Sequence, residues 1–322
     1  MTLRAHICRN IVVILTIWLG LATPSYALDT CDGRPCIAIG SYNIKLFGGG
    51  GSSDSNREID KVVDRIAPMD VVVLQEINTG TATWRNFLAD LQDIGFEVAV
   101  EGSFGGANPG RQQFVVVLVK SGNVQVVAGS AAELPIPTTN PPIWSSCIYD
   151  SLRPPVTVRL VAWLFDFRLV GLHFKSQTTV SSATGANKGV CDDDLRQWQS
   201  TMMLDELRRL TVADSDDDVV VVGDFNSPLS AEEFYPIRSN GLVSMIPDQC
   251  DASTQHGCSH LVSSSRFEPK VLDHIVVPSD MVEAVAESGQ IGRLGTSVSN
   301  YRRTQSDHLE VWSHFYVDRD DD

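Results

Sequence analysis

Eight polar side chains with acid–base or metal-binding chemistry stand at the ends or starts of apolar runs. They are Asn43, Glu76, His173, Asp224, Asn226, Asp273, Asp307 and His308. Carboxylate and amide oxygens are ligands of hard cations such as Mg²⁺, and imidazoles exchange protons near neutral pH. Because sheet-based folds bring strand ends to one edge, we expect these side chains to form one site.

The stretch "VVVVGDFNSP" (Val219 to Pro228) shows the pattern most clearly. Four valines predict a buried strand, and the two-residue spacing of Asp224 and Asn226 lets both side chains point the same way. A single Asn or Asp at a strand end is usually a turn or cap residue, and a lone histidine is usually structural. The whole set of eight favours a functional site.

The elements that must position these residues alternate between strand and helix. Predicted strands cover 36–44, 70–77, 96–100, 113–119, 123–129, 156–167, 169–175, 219–226, 270–278 and 306–317. Predicted helices cover 59–66, 84–94 and 194–210, and predicted loops cover 134–155 and 176–190. No linker separates two halves, so we expect one domain over 28–317, followed by a disordered acidic tail at 318–322.

The ordered motifs "YNI", "LQEI", "GLHF", "GDFN", "LDHIVV" and "SDH" resemble the endonuclease/exonuclease/phosphatase superfamily, which includes deoxyribonuclease I. The resemblance extends from about Ile37 to Val317. It implies an α/β fold, a four-layer α/β/β/α sandwich with two packed mixed β-sheets flanked by helices. It also implies metal-assisted cleavage of phosphoester bonds.

The resemblance implies a divalent-metal site in which Glu76 is the main ligand, assisted by Asn43 and supported by Asp307. Mg²⁺ is the expected ion, with Mn²⁺ or Ca²⁺ as alternatives. One carboxylate suffices because Mg²⁺ keeps water and substrate oxygens as its other ligands. The acidic stretch "DSDDD" (Asp214 to Asp218) is favoured as a solvated turn before a strand, with a calcium site as the alternative.

The resemblance also implies catalytic roles. His308 would be the general base, with Asp273 fixing its tautomer, and His173 would be the matching acid or a donor to the phosphate. Asp224 and Asn226 would orient the attacking water and hold the phosphate.

Arg153 would bind the scissile phosphate, although it could equally be a loop arginine before a strand. One departure from the family concerns His173, which deoxyribonuclease-like members pair with a glutamate. The corresponding stretch here offers only Gln112 and Gln113, which can orient an imidazole but cannot raise its pKa as a carboxylate does.

The first 27 residues have the composition of a secretory signal. Arg4 and Arg9 precede an apolar run from Ile11 to Ala22, and a small-residue site predicts cleavage after Ala27. A membrane anchor is the alternative, but the run is shorter than the roughly 20 residues needed to span a bilayer. We therefore expect a secreted or periplasmic protein without stable membrane insertion.

Cleavage would remove Cys8 and leave six cysteines, an even number that favours disulfides in an exported chain. Short separations favour Cys31–Cys36 and Cys250–Cys258, which leaves Cys147–Cys191. Zinc binding is the alternative, but neither close pair has C-x-x-C spacing.

The net charge is −15, so bulk attraction cannot drive binding to polyanions. Our first hypothesis is a monomeric, metal-dependent nuclease for DNA, and RNA as well, with a groove lined by Arg111, Lys175, Arg302 and Arg303. The alternative is a sphingomyelinase or other phospholipid or inositol-phosphate hydrolase, for which Leu134 to Trp144 is the nearest membrane-contacting segment. A noncatalytic binding or toxin-subunit protein is less consistent with the complete motif set.

Overall fold

The computed structural model describes residues 28–49, 56–102, 113–137, 152–176, 188–214, 217–263 and 268–320. Its strands are β1 (Asp29–Cys31), β2 (Arg34–Phe47), β3 (Val71–Ile77), β4 (Phe96–Glu101), β5 (Phe114–Lys120), β6 (Gln125–Val126), β7 (Ala132–Glu133), β8 (Val156–Ala162), β9 (Phe165–His173), β10 (Val219–Asp224), β11 (Leu242–Ser244), β12 (Asp273–Pro278), β13 (Gln290–Ile291) and β14 (Val311–Tyr316). Its helices are α1 (Ile59–Ile66), α2 (Ala82–Asp93), α3 (Lys188–Asp214), α4 (Tyr235–Ser239) and α5 (Val298–Thr304), with a 3₁₀ turn at Glu232–Phe234.

The strands form two mixed sheets. The first has the order β13-β14-β2-β3-β5-β4, with β1 paired to β2, and the second has the order β11-β12-β10-β9-β8-β6, with β7 paired to β8. In each sheet the central pair is parallel, β2 with β3 and β9 with β10, whereas the neighbours of these pairs run antiparallel.

Apolar side chains alternate along the central strands and fill three layers. One cluster packs between the two sheets, a second packs between the first sheet and α1 and α2, and a third packs between the second sheet and α3. In β3, for example, Val71 and Val73 face the other sheet, whereas Val72 and Leu74 face the helices. The predicted four-layer sandwich of two mixed sheets flanked by helices is confirmed.

The strands differ from the predicted ones at several places: only β6 forms within 123–129, the short strands β1, β7, β11 and β13 were not predicted, and one hairpin turns earlier than expected. We expected a strand through Phe167, but β8 ends at Ala162 and a turn at Trp163 and Leu164 leads into β9. The turn was missed because both residues are apolar, and it forms because Trp163 adopts a left-handed φ of 59°. The last predicted strand is also shorter, since Asp307 and His308 precede β14 instead of lying in it.

Two disulfides follow the expected pairing, Cys31–Cys36 and Cys250–Cys258. Cys191 is also disulfide-bonded, and Cys147, its expected partner, lies outside the described residues. The predicted leader, 1–27, lies outside them too. None of the helices in the described ranges is long and apolar enough to cross a membrane.

The described residues of the two acidic segments form hydrogen bonds and ion pairs with the rest of the protein. In the tail, which we expected to be disordered, Asp318 pairs with Arg34 and Asp320 accepts a hydrogen bond from the backbone of Asp166, whereas 321 and 322 lie outside the described residues. In the "DSDDD" stretch, Asp214 is bound by Arg168, and residues 215 and 216 lie outside. The carboxylate of Asp214 is therefore already paired with an arginine side chain of the protein.

Gly223 is needed for the close approach of β9 and β10. Its φ is +151°, and an added Cβ would lie 2.1 Å from the backbone oxygen of Leu172. We expect Gly223→Ala to lower the free energy of unfolding by about 2–4 kcal/mol, because both the backbone conformation and the strand pairing must change. Urea unfolding measures this change, with Gly295→Ala as the control, since a Cβ there meets no atom within 4 Å.

Candidate active site

Asp224, the last residue of β10, is the centre of a polar cluster between the two sheets. Its Oδ2 accepts a hydrogen bond from Asn43 Nδ2 at 2.9 Å, and its Oδ1 accepts one from the backbone of Asn226 at 2.8 Å. His173 Nε2 lies 3.5 Å and His308 Nε2 lies 3.8 Å from Oδ2. His173 and Asp224 are the last residues of β9 and β10, whereas Asn43 lies within β2, four residues before its end, and the three side chains meet at one edge of the sandwich.

His308 and Asp273 form a hydrogen-bonded pair beside Asp224. His308 Nδ1 donates to Asp273 Oδ2 at 2.7 Å, which directs the Nε2 side of the ring toward Asp224. Asp273 lies directly across the strand pair from Asp224, and its backbone N–H donates to the hydroxyl of Ser259. The second oxygen of Asp273, Oδ1, has no hydrogen-bond partner among the described residues. The negative charge of Asp273 therefore acts mainly on His308.

Burial and neighbouring charges raise the pKa values of Asp224 and His308 above their ordinary values. Burial raises the pKa of Asp224 to about 7, although the charge of His308 opposes that change. Burial alone would lower the pKa of His308, but the carboxylates of Asp273 and Asp224 outweigh burial and raise it to about 10. Near neutral pH, His308 is therefore a cation, and Asp224 can accept a proton.

Glu76 reaches the cluster because its backbone departs from the strand. The alternation of β3 would point Glu76 toward the helices, but a left-handed φ of 61° and an irregular register turn it back. Its carboxylate accepts hydrogen bonds from Leu46 N and Gln113 Nε2, both at 3.0 Å, and from Asn43 Nδ2 at 3.3 Å. Such a conformation costs a non-glycine residue about 1–3 kcal/mol and is concentrated at functional sites.

The residues present fit a divalent cation. Asp224, Asp273 and His308 each offer a ligand atom, all within 4.8 Å of one another, but the hydrogen bond between His308 Nδ1 and Asp273 Oδ2 already uses one polar atom of each of those two residues. Glu76, at 18% side-chain exposure, is the carboxylate open to the cleft. Three acidic side chains, Glu76, Asp224 and Asp273, face one cationic imidazole, so a bound cation would offset negative charge there.

Asn43 connects the carboxylates of Glu76 and Asp224, and its role near the metal stays a prediction. Its amide nitrogen donates to both Glu76 and Asp224, and its Oδ1 accepts the backbone N–H of Lys45. This side chain is 1% exposed and holds the two acidic groups at a fixed separation.

His173 lies between the metal carboxylate and Asp224. Its Nε2 is 4.0 Å from Glu76 Oε1, and its Nδ1 has no hydrogen-bond partner in the described part of the chain. Burial, followed by the charges of Arg153 and His308, lowers its pKa well below the ordinary value. His173 is therefore neutral and suited to donate a hydrogen bond from Nε2, not to act as a strong acid.

Arg153 and Gln113 stand next to His173. Arg153 donates to the backbone oxygen of Phe174 at 3.4 Å and to Gln113 Oε1, and Gln113 in turn donates to Glu76. The glutamine that we expected near His173 thus orients Glu76 and Arg153, and Gln112 lies outside the described residues. The structure places Arg153 at the site.

Asp307 lies at the edge of this site and is neutralised by two cations. Its Oδ2 binds Lys45, and Arg302 Nη2 lies 3.5 Å away. Burial would raise the pKa of Asp307, but the charges of His308 and Lys45 lower it to about 2. Asp307 therefore forms salt bridges among the described residues, and its supporting role for the metal stays a prediction.

Sequence reasoning misplaced one groove cation and missed two site neighbours. Lys175, expected in the groove, is buried against Asp192 at 3.0 Å, and Arg111 lies outside the described residues. Lys45 was missed although it follows Asn43 by two residues, because an exposed lysine near a strand end is common. His260, discussed below, was missed because it ends no apolar run.

Comparison with known proteins identifies the family of this chain. The family model described as "Endonuclease/Exonuclease/phosphatase family" matches residues 40–308, a range that contains all the site residues described above. No curated protein sequence is similar enough to this chain to count as a match.

Several solved structures share the fold at low sequence identity. A truncated Caenorhabditis elegans TDP2 is 14% identical, with a TM-score of 0.56, over 87% of this chain and 97% of that one. The human Nocturnin catalytic domain with a bound sulfate anion is 17% identical, with a TM-score of 0.56, over 88% and 94%. ANGEL2, a 2′,3′-cyclic phosphatase, is 13% identical, with a TM-score of 0.57, over 89% and 96%. At such identities these likenesses concern the fold alone.

Proposed function

The chain belongs to the endonuclease/exonuclease/phosphatase family of metal-dependent phosphoesterases, and we propose that it is a secreted, Mg²⁺-dependent endonuclease that hydrolyses DNA. The observation that carries the proposal is the cluster at one edge of the sandwich. Asp224 can accept a proton there, the His308–Asp273 pair carries a positive charge, and Glu76 stands open to the cleft. Together these groups match the needs of phosphodiester hydrolysis.

In this proposal Asp224 takes a proton from the attacking water, the bond from phosphorus to the leaving sugar oxygen breaks, and that oxygen takes a proton from solvent water. The backbone N–H of Asn226 and the amide of Asn43 fix the two oxygens of the Asp224 carboxylate, so the proton acceptor has one orientation. Asn226 is itself anchored by its side-chain donation to the backbone oxygen of Phe174 at 3.1 Å. The expected base role of His308 thus passes to Asp224, because a pKa of about 10 keeps His308 protonated.

His308 and His173 bind the phosphate on either side of Asp224. His308 donates from Nε2 to a nonbridging oxygen, and Asp273 holds the ring and its positive charge in place. His173 donates from its own Nε2, and Arg153 adds a fixed positive charge. Glu76 would hold a divalent cation, which would supply Lewis-acid stabilisation of negative charge at the phosphate.

DNA is favoured over phospholipid by the placement of apolar residues. In the segment that would contact a membrane, Leu134 and Ile136 are buried in the core, and residues 138–144 lie outside the described ranges. Trp163 and Leu164 are exposed, but they precede β9, whose other end carries His173. A nine-residue strand spans roughly 30 Å, so this apolar tip is too remote to deliver a lipid headgroup to the site.

The deciding experiment offers several phosphodiesters to one preparation. The mature protein with Mg²⁺ is assayed on supercoiled plasmid, RNA, sphingomyelin vesicles and phosphoinositides. We expect plasmid nicking that stops in excess EDTA and returns when Mg²⁺ is restored. Without the cation, the Glu76 carboxylate would repel the negatively charged phosphate. Release of choline phosphate without nicking would replace the nuclease proposal with the lipid alternative, and inactivity on every substrate would refute both.

We also propose that the protein is exported. The charged and apolar pattern of 1–27 and the two disulfides, Cys31–Cys36 and Cys250–Cys258, support export. N-terminal sequencing of the protein from an exporting host should begin at Leu28. A chain that stays in the membrane fraction with its leader intact would contradict export.

A further inference from the structure

His260 lies beside the proposed catalytic histidine although it takes no part in the mechanism above. The backbone around it runs antiparallel to the stretch around His308, with hydrogen bonds from Leu261 N to Asp307 O and from Leu309 N to Ser259 O, both at 2.7 Å. His260 and His308 are directly opposite each other in this pairing. Opposite residues of an antiparallel pair project to the same side, so both rings face the same cleft.

The ring of His260 is positioned to meet a ligand. Its centroid lies 5.0 Å from that of His308, and its ring nitrogens bond to no residue in the described part of the chain. Neither nitrogen is among the fully buried polar atoms of those residues. An imidazole carries at least one N–H donor in either protonation state, so His260 offers a hydrogen bond to whatever occupies that end of the cleft.

The charges around His260 favour an anionic group. Arg302 donates to the backbone oxygen of Leu261 and lies 3.5 Å from Asp307, which Lys45 also binds. Arg302 and Lys45 thus offset Asp307, and the cationic His308 also adjoins His260, opposed by the carboxylate of Asp273. The disulfide Cys250–Cys258 ends two residues before His260 and restrains its backbone.

We propose that His260, with Arg302 beside it, forms a subsite for the phosphate next to the scissile one on a polynucleotide strand. The inference rests on the proposed nuclease function. The Oδ2 atom of Asp224 lies 3.5 Å from His173 Nε2 and 3.8 Å from His308 Nε2. The ring of His260 lies 5.0 Å from that of His308 and so extends this row beyond His308. If the scissile phosphate occupies the middle of the row, His260 meets the substrate one nucleotide further along.

The test compares a substrate that has a neighbouring phosphate with one that has none. We expect His260→Ala to lower kcat/KM for plasmid nicking about 10- to 100-fold, mainly through KM, since it removes a hydrogen bond to a charged group. Hydrolysis of bis(4-nitrophenyl) phosphate, which has one phosphate, should stay within about twofold and shows that the fold and His308 are intact. His256→Ala is the matched control, because His256 is an exposed histidine four residues earlier, inside the loop closed by Cys250–Cys258.

Two results would overturn the subsite while leaving the nuclease proposal in place. Unchanged nicking by His260→Ala would show that the ring contacts no substrate, and equal losses on both substrates would show that it acts through His308. A wild-type protein that cleaves bis(4-nitrophenyl) phosphate but not plasmid would refute the nuclease proposal and the subsite together.

Discussion

Asp224→Asn is expected to lower kcat for plasmid nicking about 10⁴-fold, because the amide cannot accept the proton of the attacking water. The substitution preserves the size of the side chain, and its single oxygen can still accept the backbone N–H of Asn226, whereas its amide nitrogen then faces the donor Asn43 Nδ2. The variant should therefore fold and bind DNA with little change in KM. A loss confined to kcat identifies an interaction that is needed in the transition state.

The control for this variant is Asp248→Asn, which removes an exposed carboxylate from the same half of the chain. It should retain nicking activity within about twofold. If Asp224→Asn kept more than a tenth of the wild-type kcat, Asp224 would not be the base. A rise in KM of similar size to the fall in kcat would instead assign Asp224 to metal or substrate binding.

The positions of these residues could be predicted from the sequence, because apolar strands that end in polar side chains leave few other arrangements. The motif around Asp224 needs only a strand period of two and a shared sheet edge to place it near His173 and Asp273. The register of β10 with β9 and β12 then puts all three side by side. Local patterns thus determined the place of the site.

The roles of the same residues depend on contacts that a linear pattern does not contain. Glu76 enters the cleft through a left-handed backbone conformation, whereas strand alternation alone would point it toward the helices. The pKa of His308 depends on two carboxylates from other strands, so its protonated state follows only from the packed sheets. His260 reaches the cleft through pairing with a stretch almost 50 residues away in the chain.

The second large effect concerns the His308–Asp273 pair. We expect His308→Ala to lower kcat about 10³- to 10⁴-fold, because it removes a cationic donor to the phosphate from a buried site. His314→Ala is the control, since His314 is a half-buried histidine of β14 six residues further along the chain. Retention of more than a tenth of the activity by His308→Ala would contradict the assigned role.

The pH profile separates the titration of Asp224 from that of His308. Activity requires Asp224 deprotonated and His308 protonated, so kcat/KM in the wild type should rise with pH up to about 7 and fall as pH passes about 10. Bound Mg²⁺ favours the carboxylate form of Asp224 and can only move the rising limb to lower pH.

Asp273→Asn tests the cause of the falling limb. The Asp273 carboxylate raises the pKa of His308, so its removal should lower that pKa and move the falling limb down by more than one pH unit. The same variant loses about 10²-fold or more in kcat near neutral pH, because the ring loses the carboxylate that fixes its orientation and stabilises its positive charge. If the falling limb stayed near pH 10 in Asp273→Asn, the titrating group would not be His308, and its role as the cationic donor would have to be abandoned.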